Sequence, residues 1–179
     1  IRDNFRTVIW QPYALSLGAS VQGLGILESV MDVTRLIVQP ILGAASDSYG
    51  RRKFLIFREV ISILVAFCLL FASSWYLLAV AMFLVGLNWA FLPVWNSTIA
   101  ESSDPSRVGY FFSIIGSSFM GAGLIGTLSA GYIAQEFGYS LVFIISILFG
   151  LSSLILVTLS LRETQAPSSG NKFTLLLSF

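Results

Sequence analysis

The sequence lacks several residue types that common functional sites require. It has no histidine and a single cysteine, Cys68, which lies inside an apolar run. A disulfide framework, a Cys/His zinc site and histidine-based acid–base catalysis are therefore excluded within these 179 residues. The sequence also contains no Walker-type phosphate loop. We expect no metal, no cofactor and no enzymatic activity.

Charged residues are also scarce. They make up 11% of the chain, against about 25% in an average soluble domain, while 56% of the residues are hydrophobic. So few charges could not cover the surface of a soluble globule of this size. The net charge of +1 gives no reason to expect nucleic acid as a partner. The composition instead predicts a protein that is surrounded by the lipid bilayer.

What the sequence does have is a series of long apolar runs, each near the roughly 20 residues that a helix needs to cross a bilayer. The runs are continuous, so they predict helices and not the short alternating strands of a membrane barrel. Polar breaks place the helices at about 1–17, 21–46, 53–73, 76–100, 107–134 and 140–161, the first being incomplete. Residues 1–162 would form one all-α, polytopic bundle, and residues 163–179 a cytoplasmic linker.

The positive charges predict the orientation of the bundle. A cluster of basic residues follows the second run, namely Arg51, Arg52, Lys53 and Arg58, whereas the breaks at 73–74 and 135–138 carry no Lys or Arg. Because Lys and Arg near the ends of a span stay on the cytoplasmic side, the segment between the second and third helices is predicted to lie inside. We therefore expect an integral, multi-pass protein of the plasma (inner) membrane of the cell.

A charged, glycine-bounded segment, predicted to be a tight loop, joins the second and third runs. It resembles the signature G-x-x-x-D-x-x-G-R-[KR] of the major facilitator superfamily. The matching residues are Gly43, Asp47, Gly50, Arg51 and Arg52. Two positions depart from the family pattern, which usually has Leu where this chain has Ala45 and a basic residue where it has Ser48.

The same spacing of residues recurs later in the chain. Gly43, Asp47 and Gly50 have an echo at Gly131, Gln135 and Gly138, with an aromatic residue before the last glycine in both copies. Three predicted helices separate the copies, so they would lie on opposite sides of the membrane. A duplicated three-helix unit in inverted orientation would produce this pattern. A glycine-bounded turn can also recur by chance in a chain with 15 glycines.

The resemblance covers about Tyr13 to Thr164 and implies the N-terminal half of a transporter with 3+3 inverted helix repeats. It implies secondary active transport of a small-molecule solute by alternating access, coupled to a proton or a sodium ion. The missing C-terminal half of the same chain would be its partner. The alternative is a polytopic membrane protein that does not transport, such as a sensor or a membrane-embedded enzyme. The helix-4 arginine and helix-5 proline of drug–proton antiporters are absent, which weakens the case for that activity.

For the motif, the resemblance implies a role in the conformational cycle. Asp47 would face a helix end in the opposite half, and Arg51 would reach an acid at the inner end of the fourth helix, with Glu101 the first candidate and Asp104 the second. The motif residues and Glu101 would then form a latch that favours the outward-facing state. Alternatively, the basic residues of the motif only set the topology.

A second group of charges lies inside the predicted membrane region. Glu28, Asp32 and Arg35 are spaced i, i+4 and i+7, so they share one helix face. Each charge at bilayer depth costs about 2.5–3.5 kcal/mol, so this face is predicted to look into protein or water. Arg2, Asp3 and Arg6 of the first helix are expected at a similar depth. We predict a buried ionic network across the first two helices.

This network has two interpretations that the sequence leaves open. Its charges could bind an anionic or polar substrate or a coupling proton, since a cavity carboxylate between basic groups can change protonation between states. They could equally fix the register of two helices and bind nothing. In the fourth helix, Asn88 and Trp95 are seven residues apart and share a face that could line the substrate pathway or merely pack. Pro93 predicts a kink in the same helix.

Overall fold

The computed structural model describes residues 2–160, apart from the side chains of Arg2 and Asn4, and this part of the chain is all-α, as predicted. The helices are α1 (Arg2–Ser16), α2 (Val21–Tyr49), α3 (Arg51–Phe71), α4 (Leu78–Ala90), α5 (Leu92–Ser102), α6 (Val108–Phe137) and α7 (Tyr139–Ser160), with a 3-10 turn at Trp75–Leu77 before α4. The predicted linker at 163–179 lies outside the described residues.

Four segments of the described chain are long and apolar enough to cross a membrane: Arg51–Phe71, Trp75–Ser102, Val108–Phe137 and Tyr139–Ser160. The second of these contains both α4 and α5. With 29 residues, α2 is also long enough at 1.5 Å per residue, but its polar and charged side chains keep it out of this set. The chain is therefore a polytopic helix bundle in which one of the longest helices is also strongly polar.

The segment around the glycine motif is helical, and not the loop that was expected. α2 runs on to Tyr49 and α3 begins at Arg51, so a single residue, Gly50, joins the two helices. Gly50 has a φ of +86°, which glycine adopts without the steric penalty of a Cβ atom. The hydroxyls of Ser46 and Ser48 donate to carbonyls one turn back, which fits the helical conformation of this segment.

The predicted kink in the fourth span is confirmed, and it lies two residues before the proline. α4 ends at Ala90 and α5 starts at Leu92. Pro93 has no N–H to donate to the carbonyl of Trp89, so the α-helical ladder is interrupted at this point. The N–H of Phe91 bonds instead to the carbonyl of Asn88 at 3.4 Å, which is the tighter 3-10 pattern.

Helix packing repeats between two three-helix units. The first unit is α1, α2 and α3, and the second is the α4–α5 span, α6 and α7. A duplicated unit requires such a repeat. α2 packs against α4, and α6 packs in the same way against α1; α3 packs against α4, and α7 against α1. The third helices of the two units, α3 and α7, pack against each other. Gly50 and Gly138 join the second and third helices of the two units and have φ values of +86° and +83°.

Gly86 sets the distance between α2 and α4. A Cβ atom at this position would collide with the carbonyl oxygen of Met31 and lie 2.8 Å from the Cβ of Thr34. The two backbones therefore touch, which is possible because small residues allow membrane helices to approach closely. This contact holds the charged face of α2 close to α4.

Candidate functional site

Two cavities adjoin in the interior of the bundle. The smaller has a volume of about 260 Å³ and is lined by α1, α2, α3 and α4. The larger has a volume of about 690 Å³ and is lined mainly by α5, α6 and α7. Asp3 and Trp89 line both, so the cavities meet at these two side chains.

Charged side chains from α1 and α2 meet in the smaller cavity. Asp3 and Arg6 from α1 line it together with Glu28 and Arg35 from α2. Asp3, Arg6 and Arg35 were predicted to lie near one another and near Asp32. The structure places these three around one space, with Glu28 in the position expected for Asp32. The side chain of Arg2, which belonged to the same prediction, lies outside the described part of the chain.

The ion pairs of α1 continue into α3 and α7. Asp3 Oδ1 accepts a hydrogen bond from Arg6 Nη2 at 2.6 Å, and Asp3 Oδ2 lies 3.6 Å from Arg58 Nη2. Arg58 Nη1 donates to Glu59 Oε1 at 3.1 Å, and Ser153 Oγ donates to Glu59 Oε2 at 2.7 Å. The result is a chain of polar contacts from α1 through α3 to α7, which we call the α1–α3–α7 network.

The sequence prediction named the wrong pair of helices for these ion pairs. Asp3 and Arg6 were expected to pair with α2, but Asp3 forms an ion pair with Arg58 of α3, and Arg6 Nη1 donates to the carbonyl of Ser62 at 2.9 Å. Arg58 had been read as part of the cytoplasmic charge cluster. It is seven residues into α3, or about 10 Å from the start of that helix, which brings it to the depth of Asp3.

The two charged residues of α2 that line the smaller cavity, Glu28 and Arg35, have neutral partners among residues 2–160. Arg35 Nε donates to Gln39 Oε1 at 3.1 Å, and its guanidinium lies 5.8 Å from the centre of the Trp89 ring. Glu28 Oε1 accepts a long hydrogen bond, 3.4 Å, from Gln11 Nε2. Asp32 is exposed and lines neither cavity. Four residues rotate a helix by about 400°, so Asp32 points about 40° away from Glu28.

The two candidates on the fourth span take different positions. Asn88 is buried and donates from Nδ2 to the carbonyl of Arg58 at 3.0 Å, so it ties α4 to α3 beside the α1–α3–α7 network. Trp95 lines the larger cavity. The break at Phe91 separates them, which is why a shared helical face does not give them a shared environment.

At the end of the bundle that carries the glycine motif, Arg51 is buried between two carboxylates. Arg51 Nη1 lies 2.7 Å from Glu101 Oε2, and Arg51 Nη2 lies 3.0 Å from Asp47 Oδ1. The expected contact between Arg51 and Glu101 is therefore present. Arg52 donates to the carbonyl of Thr158 at 2.8 Å, near the end of α7. A Cβ at Gly43 would meet no atom within 4 Å, so this face of α2 is open.

Asp104, the second candidate for a partner of Arg51, belongs to the loop between α5 and α6. Its carboxylate accepts hydrogen bonds from Ser106 Oγ at 2.7 Å and Ser106 N at 2.9 Å. The hydroxyl bond, followed by the backbone bond, holds the pKa of Asp104 below its usual value. Asp104 thus stabilises its own loop, and Glu101 is the acid that Arg51 reaches.

Sequence reasoning missed four residues of the site: Arg58, Glu59, Ser62 and Ser153. The pair Arg58–Glu59 left a detectable signal, because it interrupts the apolar run that follows Lys53. Charges inside a span are costly and so point to an interior site. The two serines left no such signal, since serine is common in every span of this chain.

Long apolar helices, a repeated three-helix packing pattern and charged interior cavities define an integral, multi-pass membrane protein with an internal polar site. The sequence profile of the Major Facilitator Superfamily matches residues 2–176. The chain belongs to this superfamily, and its fold is that of an all-α N-terminal half.

Three relatives with assigned names are resistance proteins. The tetracycline resistance protein, class B, of Escherichia coli is 30% identical over 141 residues, which cover 79% of this chain and 35% of the relative. The multidrug resistance protein MdtG of Enterobacter lignolyticus is 31% identical over 146 residues, covering 80% and 35%. MdtG of Klebsiella pneumoniae is 29% identical over 163 residues, covering 88% and 39%. The chain spans little more than a third of the length of these relatives.

Proposed function

We propose that the complete protein is a secondary active transporter that exports a small amphipathic solute across the plasma membrane by alternating access. The observation that carries this proposal is the pair of adjoining cavities, whose walls combine aromatic side chains with the charges of α1, α2 and α3. Ligand sites of this kind are mostly apolar and contain a few polar groups that orient the ligand. The direction of transport is supported by the name of a further relative, the multi-drug resistance efflux pump PmrA homolog of Lactococcus lactis.

The cluster around Arg51 supports the conformational part of the proposal. It links the start of α3 to the last turns of α2 and α5, so the ends of these helices can move as one body. The Asp47 side chain remains 55% exposed although it pairs with Arg51. An exposed carboxylate at this position can reach the opposite half of the transporter in one state and release it in the other.

Coupling to a proton or a sodium ion requires a carboxylate that the cavity can reach. Three acidic side chains line the cavities, namely Asp3, Glu28 and Glu59. Glu59 is buried and is held by Arg58 and Ser153. Loss or gain of its charge would change the balance of the α1–α3–α7 network, so we propose Glu59 as the group through which an ion gradient acts.

The test uses the full-length protein in proteoliposomes, with ethidium as the probe and an imposed pH or sodium gradient. We expect ethidium to move against its own gradient when one of the two ion gradients is applied, and Glu59→Gln to lose this gradient-driven movement. The matched control is Glu136→Gln, since Glu136 is exposed at the end of α6. Movement that is equal with and without both gradients would contradict ion coupling. Binding of the dye without any movement would favour a sensor.

A further inference from the structure

We propose that the α2 side of the smaller cavity binds a zwitterionic solute, with the cationic group of the solute at Glu28 and its anionic group at Arg35. This inference rests on the proposed function and deepens it by naming the class of solute. Two sets of charged side chains contribute to the lining of the smaller cavity. In one set each charge has a partner of opposite charge, and in the other, within the described part of the chain, it does not.

The first set compensates itself. In the α1–α3–α7 network the carboxylates of Asp3 and Glu59 are matched by the guanidinium groups of Arg6 and Arg58. Among the described side chains, these two negative and two positive groups cancel. Ser153 donates a further hydrogen bond to Glu59, and the carbonyl of Ser62 accepts one from Arg6. Such a set holds helices in register and does not need a charged solute to balance it.

The second set has no such compensation within residues 2–160. Glu28 meets only the amide of Gln11, and Arg35 meets the amide of Gln39 and the face of Trp89. Amide and aromatic partners orient a charge but do not cancel it. A charge without a charged partner at membrane depth is costly, so an opposite charge brought by a ligand is favoured there.

Glu28 and Arg35 cannot compensate each other. They lie seven residues apart on the same face of α2, which separates them by about 10 Å along the helix. Met31 lies between them and also lines the cavity. The face therefore presents a negative group, an apolar strip and a positive group in order. Its complement is a solute with opposite charges at two ends of an apolar body.

A solute with one charge would pair with either Glu28 or Arg35 and leave the other side chain without a charged partner. It would lose the attraction of the second group, and its apolar end would displace water from that group. Hydrogen bonds to charged groups are the stronger ones, so we expect a zwitterion to bind about tenfold more tightly than the matched single-charge compound. Trp89, shared with the larger cavity, lets a longer apolar body extend beyond Arg35.

The rival explanation is that the C-terminal half brings a carboxylate to Arg35 and a basic group to Glu28. The charges of α2 would then be paired across the two halves, and the site would have no preference for zwitterions. The two explanations make opposite predictions for one pair of dyes. Rhodamine B carries a cationic ring system and a free carboxylate, and its ethyl ester carries the cation alone.

The experiment measures binding of both dyes to the full-length protein in nanodiscs by fluorescence anisotropy. We expect the wild type to bind rhodamine B about tenfold more tightly than the ester. Arg35→Gln should weaken the binding of rhodamine B about tenfold and leave the binding of the ester unchanged. Arg35→Lys should keep most of the preference for rhodamine B over the ester. Glu28→Gln should weaken the binding of both dyes by a similar factor, because both carry the cationic ring system. Glu136→Gln, on an exposed residue of α6, is the control that removes a carboxylate elsewhere.

Equal affinity for the two dyes in the wild type would overturn the inference, and so would an Arg35→Gln variant that weakens both equally. Size-exclusion chromatography shows whether each variant is folded, and Arg35→Lys keeps the test valid if Arg35→Gln is not. Ethidium export, measured on the same protein, tests the proposed function separately. If the protein exports ethidium but binds both dyes equally, only the zwitterion inference is contradicted. If it prefers rhodamine B but exports no ethidium, only the transport proposal is contradicted.

Discussion

The guanidinium of Arg51 lies 2.7 Å from the carboxylate of Glu101, which joins the first residue of α3 to the last turn of α5. The Arg51 side chain is only 6% exposed, and that of Glu101 is 32% exposed. Arg51 also pairs with Asp47, whose side chain is more exposed. One buried cation therefore holds three helix ends together, and the two acids should contribute unequally.

We expect Glu101→Gln to lower the free energy of unfolding by about 1–3 kcal/mol, because it takes a charged partner from a buried guanidinium. Asp47→Asn should cost less, about 0–1 kcal/mol, because solvent screens an exposed pair. Thermal unfolding of the full-length protein in detergent measures both effects. In a double-mutant cycle, strict additivity of Glu101→Gln and Arg51→Gln would show that the two side chains do not interact.

The bond between Ser153 and Glu59 offers a test with a neighbouring control. Ser153→Ala removes a donor at 2.7 Å from a buried carboxylate, so we expect a loss of about 1–3 kcal/mol in the free energy of unfolding. Ser152→Ala should change it little, because Ser152 is exposed and bonds only to carbonyls of its own helix. If the two variants unfold at the same temperature, the bond from α7 to Glu59 does not contribute to stability.

The contact between α2 and α4 predicts that Gly86 tolerates no side chain. Gly86→Ala places a Cβ against the carbonyl of Met31, so the helices must separate, at a cost of about 1–3 kcal/mol. Gly25→Ala is the control, since a Cβ there meets no atom within 4 Å and alanine favours the helix. Unfolding of both variants, followed by circular dichroism, measures the difference. Equal stability of Gly86→Ala and the wild type would show that the backbones of α2 and α4 are not in contact at this position.

The features that could be predicted from the sequence are those that depend on short stretches of chain. Apolar runs predicted the helices, since a span must satisfy its backbone hydrogen bonds internally. Pro93 predicted the kink, because the donor that it lacks would bond only four residues away. The Arg51–Glu101 pair was predicted with the help of a family resemblance, which supplied the long-range part of the information.

The features that could not be predicted depend on how helices are rotated and which of them are neighbours. Asp3 and Arg6 could pair with any charged helix at their depth, and only the packing selects Arg58 of α3 over Arg35 of α2. The segment before Gly50 has the composition of a loop, yet it remains helical, and its serine hydroxyls bond back to the preceding turn. Polar side chains next to an apolar run therefore indicate that the surface of the helix becomes polar, but they do not always mark the end of the helix.

The repeated joints at Gly50 and Gly138 give a direct test of topology. Ser48 and Glu136 stand two residues before these glycines, at equivalent places in the two three-helix units. Inverted units would put them on opposite sides of the membrane, and Arg51, Arg52 and Lys53 predict that the first lies on the cytoplasmic side. In a full-length protein in which Cys68 and any cysteine outside this sequence are replaced by Ser, we expect a membrane-impermeant maleimide to label Glu136→Cys on intact cells. Ser48→Cys should be labelled only after permeabilisation. Labelling of both positions on intact cells would contradict the inverted repeat, and the reverse pattern would move the Arg51 cluster, with its contact to Glu101, to the outer surface.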